Sequence, residues 1–202
     1  MSNRSSPWAT IAVSILIIAL IVLPFLLKGA CRSRRSTESK PAPQESPTSR
    51  PTLPDDFSAQ VVGVIDGDTI DVLVENSGEG QASGSKFTVR VRLADIDCPE
   101  KGQPFGRKAK QATSDLCFGE MVRVRGERKD RNGRLLGEVI LPDGRCLNEE
   151  LIRLGYAWWF ERYSTRIALQ AIQSEARDAR RGLWAEENPV PPWAWRKRSR
   201  TH

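Results

Sequence analysis

Two short acidic segments carry the residue types best suited to chemistry: DGDT at residues 66–69 and RLADIDCPE at residues 92–100. In the first segment, Gly67 allows a tight turn that can direct Asp68 inward at the start of a strand. In the second, Pro99 restricts the preceding residue to an extended conformation and stiffens the chain. Two carboxylates with backbone oxygens suit a hard divalent cation, calcium better than zinc. A third carboxylate could act as a general base, and arginines could bind phosphate through paired hydrogen bonds.

Each of these residues also has a plain structural interpretation. Asp68 and Asp97 could be turn residues, because Asp-Gly turns are common. Glu100 could be an acid at the start of a helix, and Arg92 could be a surface residue of a strand. These alternatives apply to each residue taken alone. The combination is far less common, and it favours a shared chemical role.

The scarcity of histidine narrows the possible classes of enzyme. The only histidine is His202, the last residue of the sequence. This argues against serine hydrolases with a histidine base, Cys-His proteases and histidine-ligated zinc hydrolases. The four cysteines show no C-x-x-C spacing, so a thiolate zinc site is not expected, and a disulfide framework is not indicated. Chemistry must therefore come from carboxylates and arginines.

The net charge of +6 is unevenly distributed along the chain. Residues 57–195 contain 20 Lys+Arg against 21 Asp+Glu, so this part is close to neutral. The excess lies in a basic cluster after the apolar N-terminal stretch and in the C-terminal tail. Net charge alone therefore does not establish nucleic-acid binding.

Composition divides the chain into five segments. Residues 9–27 are almost wholly apolar, and a helix of this length spans roughly 28 Å, close to the hydrocarbon thickness of a bilayer. A cleaved signal peptide is the alternative, but its apolar region is about 7–15 residues long, and Lys28 spoils a small-residue cleavage site. We predict a short N-terminal segment at 1–8, a transmembrane helix at 9–27, a basic cluster and Pro/Ser-rich linker at 28–56, a folded domain at 57–188 and a Pro/Trp/basic tail at 189–202.

The folded part alternates short strands with helices. Period-two alternation and β-branched residues predict strands at Ala59–Ile65, Ile70–Val74, Phe87–Leu93, Met121–Arg125 and Leu135–Leu141. Helices are predicted at Gly106–Leu116, Leu147–Leu154 and Thr165–Arg181, the last with Ile167, Ile172, Ala176 and Ala179 on one face and Gly182 as its stop. The polar, Gly/Ser-rich residues 75–86 predict a long, mobile hairpin loop. We expect an α+β domain built on a five-stranded OB-like β-barrel with about three helices.

The order of three motifs resembles that of a known family. DGDTI, RLADIDCPE and then DRNGR at residues 130–134 are similar to the motifs of the thermonuclease (staphylococcal nuclease-like) family. The resemblance runs from about Ser58 to Trp184 and includes NEELIRLGYA and RRGLW, followed by a PPWAW tail. It implies a calcium-dependent nuclease that hydrolyses DNA and RNA with low sequence specificity and leaves 3′-phosphate ends.

The resemblance also implies a role for each motif residue. Asp68 and Asp97 match the two carboxylates that bind calcium, and Cys98 matches the residue whose backbone carbonyl completes the protein ligands. Glu100 matches the acid proposed to activate the attacking water. The arginines that neutralise the phosphate in the transition state are matched by Arg92 and Arg134. The chain departs from the family at Asn132, where a tyrosine is frequent, in the long loop 75–86 and in the short segment after Glu100.

Two further residues are candidates for substrate binding. Tyr163 could stack on an unpaired base, and Arg131 could contact the phosphate backbone. For the aromatic group of Trp158, Trp159, Phe160 and Tyr163, packing is the alternative role, and for any one basic residue it is solvated surface charge. Trp193 and Trp195 could touch a membrane or dock onto the domain.

We therefore expect a monomeric, single-pass membrane protein that acts on DNA and RNA with Ca²⁺. The alternative is a membrane-tethered barrel without catalytic activity that binds nucleic acid or protein. Basic residues after the apolar stretch favour a cytoplasmic domain. The family's frequent secretion and its need for calcium favour the outside, and we expect the domain to be extracytoplasmic.

Overall fold

The computed structural model describes residues 53–75 and 85–199 of the chain. The predicted transmembrane helix at 9–27 lies outside these residues, as do most of the predicted linker and nearly all of the predicted hairpin loop. Within the described ranges, no helix is long and apolar enough to span a membrane.

Five of the strands in the described residues close into a barrel. The strands are β1 (Asp56–Asp66), β2 (Thr69–Glu75), β3 (Lys86–Leu93), β4 (Ile96–Asp97), β5 (Met121–Lys129), β6 (Leu135–Ile140) and β7 (Trp158–Trp159). The barrel order is β1-β2-β3-β6-β5, and β4 pairs with β7 in a separate two-stranded sheet. Only β3 and β6 pair in parallel within the barrel. The predicted five-stranded barrel is confirmed, and its strands extend a few residues beyond several of the predicted limits.

The barrel interior is filled by the apolar residues of the alternating strands. In β1, Phe57, Ala59 and Val61 are buried while the residues between them are exposed. Ile70 and Val72 of β2 are completely buried beside them. Burying a side chain of this kind contributes about 1.5–3 kcal/mol, so the period-two pattern both defines the strand faces and stabilises the barrel.

Helices cover the barrel along its outside. They are α1 (Gly106–Cys117), α2 (Leu147–Arg153), α3 (Ala168–Asp178) and α4 (Pro192–Ser199), accompanied in the described residues by 3-10 helices at Glu161–Tyr163 and Gly182–Ala185. Leu147, Leu151 and Ile152 of α2 are fully buried, so this helix packs firmly onto the core. Two acidic residues in its first turn and Arg153 in its last turn match the helix dipole.

The helix predicted at Thr165–Arg181 is shorter than expected, and its predicted apolar face was wrong at both ends. Ile167 is 73% exposed because it precedes the helix as its N-cap, and Ala179 is exposed at the C-cap. The buried face consists of Leu169 and Ala176, with Ile172 partly buried. This stripe packs α3 against the core.

The C-terminal tail contains a helix that the sequence did not predict. Residues 192–199 form α4, and Pro192 occupies its first position, where a missing N–H is tolerated. Gly182, the predicted stop of α3, instead begins a 3-10 helix with a φ of 54°. A Cβ there would lie 2.3 Å from the carbonyl oxygen of Gly155, so only glycine fits this close approach.

Candidate active site

An open groove of about 1300 Å³ lies where the β1–β2 turn, the end of β3 and the β5–β6 turn meet. Every residue predicted to act is among those that line it: Asp68, Arg92, Asp97, Cys98, Glu100, Arg131, Arg134 and Tyr163. Two of the predicted motifs therefore meet at the groove because of strand pairing, and the third reaches it through the β5–β6 turn.

The β1–β2 turn places Asp68 next to the end of β3. Thr69 pairs with Arg92 across the two strands, and the amide of Leu93 donates to the carbonyl oxygen of Asp68 at 2.8 Å. The Asp68 carboxylate is buried and accepts the amide N–H of Cys98 at 2.8 Å. One backbone N–H group therefore fixes the main chain of Asp68, and a second one fixes its carboxylate.

Gly67 lies in the predicted turn, and close packing behind it requires glycine at this position. A Cβ at this position would lie 2.7 Å from the Cβ of Cys98 and 2.9 Å from the Cβ of Ala109. Its φ lies outside the left-handed region, so no left-handed conformation is needed here. The glycine instead lets the turn approach the residues behind Asp68 closely.

Asp97 is brought to the same place by a sharp turn after β3. Asp95 adopts a left-handed φ of 66°, and its carbonyl oxygen accepts the amide of Phe160 at 2.9 Å. Asp97 follows in β4, where it pairs with Trp158 and is only 1% exposed. Both predicted carboxylate ligands are thus buried side chains on short, well-fixed segments.

Arg92 links the two carboxylates. Its Nη2 atom lies 3.1 Å from Oδ2 of Asp68 and 3.1 Å from Oδ1 of Asp97, and Nη1 donates to the carbonyl oxygen of Leu93 at 2.8 Å. Because Oδ2 of Asp68 and Oδ1 of Asp97 contact the same nitrogen atom, the two oxygens lie close to each other. Burial favours a lower pKa for Arg92, but Asp68 and Asp97 raise its pKa above the usual value, so the guanidinium stays charged.

The electrostatics of the pair favour an additional cation. Burial raises the pKa of Asp68 to about 7, against the opposing effect of Arg92 and with further upward contributions from Asp66 and Asp97. A buried carboxylate with this pKa carries poorly compensated negative charge when it ionises. A positive ion bound at this point would relieve that cost.

The residues present fit a hard divalent cation. In residues 53–75 and 85–199, no cluster of three or more His, Cys, Asp or Glu side chains is arranged for a metal. Asp68 and Asp97, whose carboxylates meet at Arg92, would be the two side-chain ligands, with the remaining positions filled by a backbone carbonyl, water and substrate oxygens. The Cys98 thiol is no ligand: it is buried beside Gly67, and burial raises its pKa well above the usual value.

Glu100 lies at the rim of the groove, in the loop between β4 and α1. Its amide donates to Oε1 of the buried Gln103 at 3.0 Å, and its side chain is 37% exposed. Gly106, the first residue of α1, passes so close that a Cβ would lie 2.0 Å from the Glu100 carbonyl oxygen. The loop backbone is therefore fixed while the carboxylate can reach water.

Arg134 occupies the β5–β6 side of the groove and does not contact the buried carboxylates. Its Nε and Nη2 atoms bind Oδ2 of Asp130 at 2.8 and 2.7 Å. Oδ1 of Asp130 accepts the amides of Asn132 and Arg134, and Gly133 has a φ of 78°. Asp130 thus organises the whole turn and presents the arginine at the groove.

The aromatic residues near the groove divide into packing and exposed groups. Trp158 is buried and meets Trp184 edge to face at a centroid distance of 4.4 Å, so packing explains it. Tyr163 is 64% exposed and contacts Phe160 at 4.7 Å. The exposed Arg131 belongs to the same rim as Arg134. Tyr163 and Arg131 are therefore accessible to a ligand.

Sequence reasoning missed one residue of the site, Arg196 of α4. Its guanidinium bonds both carboxylate oxygens of Asp97, and its Nη1 also contacts Glu100. The residue lies among the basic residues of the predicted tail, and nothing in the sequence distinguishes it from its basic neighbours. The tryptophans beside it were a weak hint that the tail docks onto the domain, and Trp193 does stack on Phe160 at a centroid distance of 5.4 Å.

Comparison with known proteins identifies the family. The sequence model described as staphylococcal nuclease homologue matches residues 90–186, which include Arg92, Asp97, Glu100 and Arg134. An uncharacterized endonuclease of Escherichia coli O157:H7 is 43% identical over 148 residues, covering 73% of this chain and 90% of the relative. A micrococcal nuclease of Shigella flexneri is 41% identical over 155 residues, covering 72% and 83%. A staphylococcal-like nuclease of Arabidopsis thaliana is 37% identical over 111 residues, covering 55% and 34%.

The chain therefore belongs to the staphylococcal nuclease family. The resemblance drawn from the three motifs is confirmed, and so is the prediction of a nuclease-type hydrolase. The closed barrel and its helical cover agree with this family's fold.

Proposed function

We propose that this protein is a calcium-dependent nuclease that hydrolyses phosphodiester bonds of DNA and RNA with low sequence specificity and leaves 3′-phosphate ends. The observation that carries the proposal is the contact of one largely buried arginine, Arg92, with the two buried carboxylates of Asp68 and Asp97. Oxygen ligands of this kind suit calcium better than softer metals. Calcium, when bound, polarises a phosphoryl oxygen and offsets its negative charge.

The side chains around the carboxylates supply the remaining chemistry. Glu100 reaches water at the rim, so its carboxylate is placed to take a proton from the attacking water. Arg92 and Arg134 approach from different walls of the groove, and each guanidinium can donate to the phosphate oxygens as charge develops. Arg134 would exchange its contact with Asp130 for the phosphate.

Low sequence specificity follows from what the groove presents to a strand. Its arginines address phosphates, which are the same at every nucleotide. The exposed ring of Tyr163 can stack on any base, a contact worth about 1–3 kcal/mol in proteins that bind single strands. Single-stranded segments are therefore the preferred substrates, with Arg131 contacting the backbone beside them.

The cellular setting is also part of the proposal. A transmembrane helix at 9–27 and a Pro/Ser-rich linker would hold a monomeric domain outside the cytoplasm, where calcium is plentiful. A protease added to intact cells should cut within the linker and release the domain. Full protection until the membrane is breached would place the domain in the cytoplasm instead.

A cleavage assay tests the function itself. Purified full-length protein is incubated with labelled single-stranded DNA and RNA in calcium, in magnesium and in chelator. We expect cleavage in calcium but not in magnesium or chelator. Because a 3′-phosphate blocks nucleotide addition, the new 3′ ends should accept a nucleotide only after phosphatase treatment. Equal cleavage in chelator would contradict calcium dependence, and ends that need no phosphatase would contradict the 3′-phosphate assignment. Binding without cleavage would favour a non-catalytic barrel.

A further inference from the structure

The C-terminal helix α4 places a cationic side chain on the carboxylate that is proposed to bind calcium. Nη2 of Arg196 lies 2.7 Å from Oδ2 of Asp97, and Nη1 lies 3.2 Å from Oδ1. Oδ1 also accepts from Nη2 of Arg92 at 3.1 Å. Both oxygens of Asp97 are thus engaged by guanidinium N–H groups, and Glu100 is bound to Arg196 as well.

In this arrangement Arg196 occupies carboxylate oxygens that a calcium ion would also use. Oδ1 of Asp97 already accepts from Arg92 and Arg196, so a calcium ion at the usual distance of about 2.3–2.6 Å would crowd these two donors and favour release of the more exposed Arg196. Two positive groups this close also repel each other in a poorly solvated site. The guanidinium and the cation therefore compete for Asp97.

The attachment of α4 is light enough for such an exchange. The helix has eight residues, of which only Pro192 is buried, and helices of this length are marginal by themselves. Trp193 of α4 stacks on Phe160 and meets Trp158 edge to face at 5.6 Å. Gln103 fixes the chain before it by donating to the Val190 carbonyl oxygen at 2.6 Å. None of these contacts belongs to the barrel core.

We propose that α4 is a C-terminal latch, in which Arg196 covers the cation site and is displaced from Asp97 when the cation binds. The latch rests on the proposed function, because it requires Asp97 to be a cation ligand. It makes the nuclease self-inhibited when calcium is scarce. After the cation displaces it, the Arg196 guanidinium remains beside the groove, and α4 becomes more dynamic.

Calcium binding to three full-length proteins tests the competition directly. Wild type, Arg196→Gln and Lys197→Gln are titrated with calcium by calorimetry in the absence of nucleic acid. Lys197 is an exposed neighbour on the same helix, so its substitution removes the same charge without touching Asp97. We expect Arg196→Gln to bind calcium roughly ten-fold more tightly than wild type, because charge-assisted bonds no longer have to be broken. Lys197→Gln should stay within about two-fold.

Hydrogen exchange of the α4 amides separates the latch from a simple effect of charge. Calcium should speed exchange at residues 192–199 in wild type. In Arg196→Gln, exchange there should be fast already and should change little with calcium. Arg196→Lys, which keeps the charge but loses the paired bonds, should lie between the two in both measurements.

Unchanged or weaker calcium binding by Arg196→Gln would overturn the latch, as would slower α4 exchange in calcium. Loss of cleavage by Arg196→Gln at saturating calcium would also overturn it, and would make Arg196 a positioning residue for Glu100. If wild type itself binds no calcium, the proposed function fails, and that result is distinct from a failure of the latch alone.

Discussion

The two arginines predicted to neutralise the same phosphate lie in contrasting surroundings. The side chain of Arg92 is 12% exposed, projects from β3 and contacts two buried carboxylates and a carbonyl oxygen. Arg134 is 28% exposed, lies on a turn after β5 and binds the carboxylate of Asp130. Arg92 therefore belongs to the core of the site, whereas Arg134 lies on its rim.

Because of this difference, the two arginines should contribute differently to the stability of the fold and to the rate of cleavage. Removing Arg92 would leave buried carboxylates unpaired, which is costly to the fold. Removing Arg134 would release a mostly exposed turn, where an ion pair contributes little. Substitution of Arg92 should therefore alter folding, cation binding and rate together, whereas substitution of Arg134 should alter mainly the rate.

The largest expected effect is on the barrel side, at Asp68. Asp68→Asn removes a cation ligand, so calcium-dependent cleavage should be abolished. The fold should survive, because burial already disfavours the ionised carboxylate and Arg92 keeps Asp97 as its partner. Cleavage rates in calcium and thermal melts in chelator measure both properties. Wild-type cleavage by this variant would exclude Asp68 as a ligand.

The next effect concerns Glu100, at the border between the two regions. Glu100→Gln should lower the single-turnover rate by roughly 10²–10⁴, the range for loss of a general base. Substrate affinity should change little, since Glu100 would act on water and not on the strand. A variant with normal rate and weakened binding would assign Glu100 to substrate contact instead.

Matched substitutions of the two arginines sharpen the comparison itself. Arg92→Lys and Arg134→Lys should each slow cleavage by roughly 10², because an ammonium cannot make the paired hydrogen bonds of a guanidinium. Arg92→Lys should also lower the free energy of unfolding by about 1–3 kcal/mol, whereas Arg134→Lys should cost less than about 1 kcal/mol. Urea denaturation in chelator measures this difference. Equal destabilisation by both variants would erase the distinction between core and rim.

The smallest effect is expected at Lys129, the last residue of β5. Lys129→Ala should weaken strand binding a few-fold and reduce the dependence of binding on salt, with the chemical rate unchanged. Affinity measured at several salt concentrations tests this. An inactive Lys129→Ala with a fully active Arg134→Lys would move the phosphate contact away from the DRNGR turn.

The contrast between core and rim also explains what the sequence could predict. The buried carboxylates follow from local signals: a turn at Gly67, alternating strands and an extended Cys98-Pro99 segment. Strand register then brings Thr69 opposite Arg92 and closes the site. Each step uses a short-range pattern that composition and spacing reveal.

The contact of Arg196 with Asp97 could not be predicted in this way. The two residues are 99 positions apart, and α4 has no apolar stripe that would indicate a docking face. The apolar face of α3 was wrong for a related reason, because Ile167 precedes the helix and faces solvent. Helix limits and docking depend on tertiary contacts that periodicity does not encode.

The central claim is that the barrel carboxylates bind the calcium on which cleavage depends, while the rim acts on the phosphate. Calcium titration of Arg134→Lys by calorimetry, paired with its single-turnover rate, tests this most directly. We predict one bound calcium with wild-type affinity and a rate roughly 10² lower. Loss of calcium affinity in this variant, with cleavage falling only in proportion, would contradict the account.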